Sequence, residues 1–120
     1  MQNFELIVVA DSDIVSDDVR RAWDRAGVIL TGPVEPDLLD FEAVRRAGGV
    51  LMDLSLDSAT LFALSERFMG LKVPFLFVVT RDEMRGAVHP FVLSQDGEAR
   101  EAILDALARE ADEYQSNALH

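Results

Sequence analysis

Three aspartates are the residues of this 120-residue chain whose positions could support chemistry. Asp53 ends the apolar run 50–52, and Asp11 and Asp13 follow the apolar run 4–9. An uninterrupted apolar run predicts a strand that is covered on both faces, as strands of parallel α/β sheets are. Ligands of such sheets bind beyond the carboxyl ends of the strands. We therefore expect the three carboxylates at one edge of a sheet.

Carboxylates that converge in this way repel one another. The usual resolution is a hard divalent cation with oxygen ligands, most often Mg²⁺. A carboxylate beside such an ion can also attack phosphorus, because the metal neutralises charge on the transferring phosphoryl group. In the alternative interpretation, Asp11, Asp13 and Asp53 only end strands and cap the turns that follow.

The composition indicates one globular domain with a hydrophobic core, since 49% of the residues are hydrophobic and 28% are charged. A net charge of -11 argues against binding to nucleic acid or to anionic membranes and favours a protein partner or a cation. Cysteine is absent, which excludes disulfides and thiolate chemistry. No apolar run approaches the roughly 20 residues of a membrane span, and no signal-like segment opens the chain. We expect a cytoplasmic location.

Apolar runs and helical periodicities alternate along the chain. Strands are predicted over residues 4–9, 28–30, 50–53, 73–79 and 90–93. Helices are predicted over residues 17–26, 38–47, 59–69 and 98–113, with Ser16 and Ser58 as N-caps. Only residues 81–89 separate the last two strands, so the fourth helix of a regular alternation is short or missing. The domain core is expected to span 4–113, with a frayed tail over 114–120.

This alternation predicts a doubly wound three-layer α/β sandwich with a five-stranded parallel sheet of the flavodoxin type. A strand order of 2-1-3-4-5 places the ends of the first and third strands side by side. That order would bring Asp11, Asp13 and Asp53 into one cleft.

The order and spacing of the motifs resemble those of bacterial response-regulator receiver (CheY-like) domains. The resemblance rests on Val-Val-Ala-Asp at 8–11, Leu-Met-Asp-Leu-Ser-Leu at 51–56 and Val-Pro-Phe-Leu-Phe-Val-Val at 73–79. It implies that Asp53 accepts a phosphoryl group from a histidine kinase or a phosphotransfer protein, and that the domain signals to a downstream protein rather than acting as an enzyme. It also implies that Mg²⁺ is held by Asp11, Asp53 and the backbone carbonyl of Ser55.

The acidic pair of the family differs here, because Ala10 precedes Asp11. Asp13 is the candidate that could reach back as a substitute ligand. The hydroxyl residue of the family aligns with Val79, and Thr80 stands one position later, where a strand residue points to the other face.

The phosphate-binding lysine of the family is also missing. Gln95 occupies its position, and the only lysine of the chain, Lys72, precedes the fourth strand at the opposite edge of the sheet. Thr80, Arg81 and Gln95 are therefore the candidates for contact with a phosphoryl group. With these differences, a phosphorylation-independent pseudo-receiver that acts as an interaction module is an equal alternative.

Two further classes of function remain open. The run Val8-Val9-Ala10-Asp11-Ser12-Asp13 also resembles the first motif of haloacid-dehalogenase-like phosphatases, which would make Asp11 the nucleophile and Asp13 the acid/base, with Thr80 in the second motif. A flavodoxin-like binder of a small molecule is the other class, although no glycine-rich phosphate loop follows the first strand. A homodimer through the last helix or the fifth strand is a further expectation.

Overall fold

A five-stranded, all-parallel sheet organises the protein, in the order β2-β1-β3-β4-β5. The computed structural model describes residues 4–80 and 90–118. The strands are β1 (Phe4–Val9), β2 (Val28–Val34), β3 (Gly49–Asp53), β4 (Phe75–Val79) and β5 (Phe91–Val92). The predicted flavodoxin-like fold and strand order are confirmed, so β1 and β3 lie side by side at the centre of the sheet.

Helices cover both faces of the sheet. In the described part of the chain they are α1 (Asp17–Arg25), α2 (Phe41–Arg46), α3 (Ser58–Leu71) and α4 (Gly97–Ala118), with a 3₁₀ turn over Pro36–Leu38. Side chains of α1 and α4 pack in one core cluster with Leu6 and Val8. Side chains of α2 and α3 pack in the other with Ile7 and Val9. The alternation along β1 therefore divides the core into two layers, as the period of a strand requires.

Hydrogen-bonding side chains begin the helices. Ser16 caps α1, as predicted, because its hydroxyl oxygen accepts the Val19 N–H at 3.2 Å. The cap of α3 is Asp57 and not the predicted Ser58, since the Asp57 carboxylate accepts both the N–H (2.8 Å) and the hydroxyl (2.9 Å) of Thr60.

Several boundaries differ from the predicted ones, and β4 begins at Phe75 rather than at residue 73. Strand β2 continues to Val34, where the guanidinium of Arg20 also donates hydrogen bonds to the carbonyls of Leu30 and Gly32. In place of the predicted helix 38–47 the structure has the 3₁₀ turn and a shorter α2. The Asp40 carboxylate caps α2 by accepting the backbone N–H of Glu42 at 3.0 Å. Helix α3 passes through Gly70 and ends at a left-handed Lys72. Helix α4 continues to Ala118, where a frayed tail was predicted.

The predicted short or missing helix between β4 and β5 falls on residues 81–89 and lies outside the described residues. Strand β5 is short and pairs with β4 only through Val78↔Phe91 and Val79↔Val92. Among the described helices, none is both long enough and apolar enough to cross a membrane.

Candidate functional site

Asp53 is the last residue of β3 and lies at the carboxyl end of the sheet. Only 4% of it is exposed, and it is the one buried polar or charged residue in the described part of the chain. Its Oδ1 accepts a hydrogen bond of 3.0 Å from the backbone N–H of Ser55. A buried carboxylate is costly unless it is hydrogen-bonded or paired, so this position is a candidate site.

Neighbouring strands bring specific residues to Asp53. On one side β3 pairs with β4, which sets Asp53 beside Val78. On the other side Met52 pairs with Val9 of β1. The next position of that register sets the buried Ala10 beside Asp53, with Asp11 one residue further. The predicted proximity of the ends of β1 and β3 is thus confirmed at the level of the backbone.

Asp11 and Asp13 are exposed and share an open cleft of about 240 Å³. The other residues around this cleft are Ala10, Ser12, Pro33 and Glu35. Asp53 is not among them. Within the described ranges, no three acidic or histidine side chains are grouped so that they could hold a metal ion. A single cluster of Asp11, Asp13 and Asp53 side chains, as expected from the residues alone, is therefore not formed.

The magnesium site implied by the receiver resemblance needs only two of the three aspartate side chains. Its ligands are the side chains of Asp11 and Asp53 and the backbone carbonyl of Ser55. All of these donors are oxygens that belong to the ends of two adjacent strands. Mg²⁺ prefers such ligands and keeps several waters, so two carboxylates and a carbonyl fit it by donor chemistry. This metal site stays a prediction.

Two of the three candidates for phosphate contact share a second cleft. Thr80 and Gln95 are exposed and line an open space of about 460 Å³ beside the first turn of α1. The remaining residues around it are Ile14, Ser16, Val19, Leu93, Ser94 and Asp96. Arg81, the third candidate, lies outside the described residues. Lys72 follows α3 and precedes β4, so it is at the opposite edge of the sheet, as predicted.

One wall of the second cleft is fixed by a hydrogen bond that the sequence analysis did not predict. Trp23 of α1 is fully buried. Its indole Nε1 also donates a hydrogen bond of 2.9 Å to the backbone carbonyl of Ser94, next to Gln95. The signal for this contact was the indole N–H itself, which needs an acceptor when it is buried.

The phosphatase motif is only partly assembled. Asp11 and Asp13 share one cleft, whereas Thr80 lines the other.

Comparison of the chain with protein-family models, with curated proteins and with solved structures returns no match. Only the described residues and their geometry therefore indicate a function.

Proposed function

We propose that this protein is a receiver-like signalling domain in which Asp53 accepts a phosphoryl group from a phosphohistidine of a kinase or a phosphotransfer protein. The observation that carries the proposal is the burial of Asp53 at the carboxyl end of a central strand. In parallel α/β sheets this edge is where ligands bind. A charged side chain that is buried there, among otherwise apolar buried residues, is better explained by chemistry than by stability.

The hydrogen bond from Ser55 distinguishes the two carboxylate oxygens of Asp53. Because Oδ1 accepts the Ser55 N–H, Oδ2 is the nucleophile that attacks phosphorus. A new oxygen–phosphorus bond forms as the phosphorus–nitrogen bond of phosphohistidine breaks, and the imidazole nitrogen takes up the electron pair. Asp11, Asp53 and the carbonyl of Ser55 would hold Mg²⁺, which neutralises charge on the transferring group.

A second candidate is a phosphorylation-independent interaction module with the same fold. The specific observation in its favour is that Asp11 and Asp13 line one cleft while Thr80 and Gln95 line another. Gln95 can donate a hydrogen bond to a phosphoryl oxygen but cannot neutralise its charge. In this version the downstream protein partner binds a single constitutive state of the domain.

Backbone amide NMR with Mg²⁺ and beryllofluoride, which mimics an acyl phosphate, separates the two candidates. For a phosphoacceptor we expect shifts at Asp11, Asp53 and Thr80 that Asp53→Asn abolishes. Asp57→Asn is the matched control, because it makes the same chemical change at an exposed helix cap and should leave the response intact. Absence of any Mg²⁺-dependent response in the wild type would reject phosphorylation and leave the interaction module.

The phosphatase alternative has one supporting observation, the shared cleft of Asp11 and Asp13. If Asp11 were a nucleophile, the protein would hydrolyse a simple aryl phosphate with Mg²⁺, and Asp11→Asn would abolish the turnover. We expect no turnover by the wild type. Turnover that survives in Asp53→Asn but not in Asp11→Asn would support the phosphatase instead.

A further inference from the structure

Strand β2 is an outer strand of the sheet and has no strand beyond it in the described part of the chain. The backbone N–H and C=O groups on the open side of such a strand can pair with a strand of another molecule. The strand at the opposite edge, β5, has only two residues, and its shortness limits pairing of this kind. Strand β2 has seven residues, so its edge needs another form of protection.

The sequence of β2 favours pairing with a further strand. Residues 28–31 read Val-Ile-Leu-Thr, an uncharged run that is rich in β-branched residues. Uncharged segments with high strand propensity add to other strands when their edge is open. Ile29 is 40% exposed beside the edge, and an open cleft of about 300 Å³ lies between β2 and α1. Another chain could therefore reach the edge.

The residues of β2 that face the open edge follow from its pairing with β1. The carbonyl of Gly27, just before β2, accepts the Phe4 N–H of β1 at 3.0 Å. Backbone groups alternate between the two sides of a strand, so every second residue after Gly27 also faces β1. The residues between them, Val28, Leu30 and Gly32, direct their N–H and C=O groups to the open edge.

Arg20 of α1 binds two of these outward carbonyls. Its guanidinium donates hydrogen bonds to the carbonyl of Leu30 and, at 2.7 Å, to the carbonyl of Gly32. Both bonds come from one rigid group that has only donors. A strand that added to this edge would need the same two carbonyls as acceptors. Arg20 and an added strand therefore compete for the edge.

Beyond Gly32 the chain itself limits pairing. Proline has no N–H, so Pro33 offers no donor to a further strand. The register between β1 and β2 also shifts between Thr31 and Val34, as at a β-bulge. A bulge twists an edge strand and disrupts further pairing. Residues 28–32 are thus the part of the edge that Arg20 has to protect.

We propose that Arg20 prevents this protein from pairing with a second copy of itself through the β2 edge. Without the guanidinium, the edge is complementary to its own twofold image. An antiparallel pair centred on Leu30 sets Leu30 of one copy opposite Leu30 of the second, and Val28 opposite Gly32. Of the antiparallel registers, this one pairs all three outward-facing residues of both copies.

Sedimentation equilibrium of Arg20→Met tests the proposal. Methionine keeps an unbranched stem and a high helix propensity but has no donor, so the change retains α1 and releases both carbonyls. We expect the variant to associate about tenfold or more tightly than the wild type. Arg21→Met is the matched control, because it makes the same change of charge and shape at an exposed arginine that pairs with Asp18. The control should associate as the wild type does.

Amide hydrogen exchange in the Arg20→Met dimer identifies the surface that pairs. The amides of Leu30 and Gly32 should exchange several-fold more slowly in the dimer than in the dissociated protein. The amides of Ile29 and Thr31 face β1 already, so their exchange should not depend on association. This alternation distinguishes edge pairing from contact through another surface. It also excludes association of unfolded chains, which would not protect alternate residues.

A second substitution should reverse the effect. Ile29→Lys adds a charge to the exposed side chain beside the edge, and charged side chains there oppose pairing. Combined with Arg20→Met, it should return association to the wild-type strength. Lysine also lowers the net negative charge of the protein, so weaker association could not come from overall repulsion between copies.

Arg20→Gln is an independent variant with a shorter polar stem and one amide donor group. Its association should also strengthen, but by less than that of Arg20→Met. Equal association of the wild type and both variants would overturn the proposal. An Arg20→Met dimer with unchanged exchange at Leu30 and Gly32 would overturn it as well.

The role of Arg20 does not depend on the chemistry proposed for Asp53. The open edge of β2 lies two strands away from β3, which carries Asp53, and all measurements use unphosphorylated protein. Failure of Asp53 to accept a phosphoryl group would leave this inference intact. Failure of the Arg20 variants to associate would leave the phosphoacceptor intact.

Discussion

The indole Nε1 of Trp23 donates a hydrogen bond of 2.9 Å to the backbone carbonyl oxygen of Ser94. This contact joins α1 to the loop between β5 and α4. The Ser94 hydroxyl oxygen accepts the Asp96 N–H at 3.3 Å, and the Asp96 carboxylate accepts the Ala99 N–H at 3.2 Å. The loop around Gln95 is thus fixed by hydrogen bonds on both sides, one from the Trp23 indole of α1 and the others with the first turn of α4.

Replacing Trp23 by phenylalanine should loosen this loop. The variant keeps an aromatic ring but leaves the Ser94 carbonyl without its donor, so we expect a loss of about 1 to 3 kcal/mol in the free energy of unfolding. Chemical denaturation followed by circular dichroism measures the loss. Amide shifts at Gln95 and Asp96 should change in the same variant. An unchanged loop spectrum would show that the indole hydrogen bond does not position Gln95.

Asp53 should contribute little to stability through its charge. Asp53→Asn keeps an oxygen that accepts the Ser55 N–H and removes a buried charge, so its free energy of unfolding should equal or exceed that of the wild type. Asp53→Ala removes the acceptor and should be less stable than Asp53→Asn by about 1 kcal/mol. Urea denaturation of the three proteins measures both differences. If Asp53→Asn were as unstable as Asp53→Ala, the charge of Asp53 would itself stabilise the fold, contrary to this prediction.

The titration of Tyr114, the single tyrosine, should depend on the acidic side chains beside it on α4. Burial raises the pKa of Tyr114, and the charges of Glu110 and Glu113 raise it further. Glu110→Gln removes one of these charges, so the tyrosine should ionise at lower pH. Tyrosinate absorbance measures the shift, and Glu98→Gln, at the other end of the helix, should not change it. An identical titration in Glu110→Gln would contradict the packing of this part of α4.

The stability of the protein in acid should depend on Asp57. The backbone N–H and then the hydroxyl of Thr60 hold the pKa of Asp57 below its ordinary value of 3.8. A carboxylate with a lowered pKa stabilises the fold above the ordinary value, and this contribution is lost as the pH falls through the lowered pKa.

The variant Asp57→Asn isolates that contribution, because asparagine also caps helices but does not titrate in this range. Thermal midpoints of dilute protein on either side of pH 3.8 should differ most between the two proteins above that value and converge below it. A constant difference at all pH values would mean that the Asp57 charge is not involved.

The fold could be predicted because its signals are local and strong. The apolar runs that became β1, β3 and β4 predict strands of a parallel sheet, and alternation with helices leaves few topologies for such strands. The boundaries were less predictable, since they depend on tertiary contacts. Strand β2 is longer than predicted where Arg20 of α1 binds two of its carbonyls. Helix α3 passes through Gly70, although the predicted helix ended at residue 69.

Only the part of the candidate site that depends on a local pattern could be predicted. Asp53 could be found because it ends an apolar run, and its burial follows from the strand that carries it. The division of the other candidates into two clefts could not be foreseen, because the spacing of Asp11, Thr80 and Gln95 along the chain does not fix distances between loops. The bond from Trp23 to Ser94 joins residues 71 positions apart. The sequence indicates that a buried indole N–H needs an acceptor, but it does not identify Ser94 as that acceptor.

Phosphorylation of Asp53 is tested most directly by incubating the protein with Mg²⁺ and acetyl phosphate and measuring its intact mass. We predict the addition of one phosphoryl group that hydroxylamine removes, as expected for an acyl phosphate, in the wild type and in Asp57→Asn but not in Asp53→Asn. No phosphorylation of the wild type, or equal phosphorylation of Asp53→Asn, would contradict the assignment of Asp53 as the phosphoacceptor.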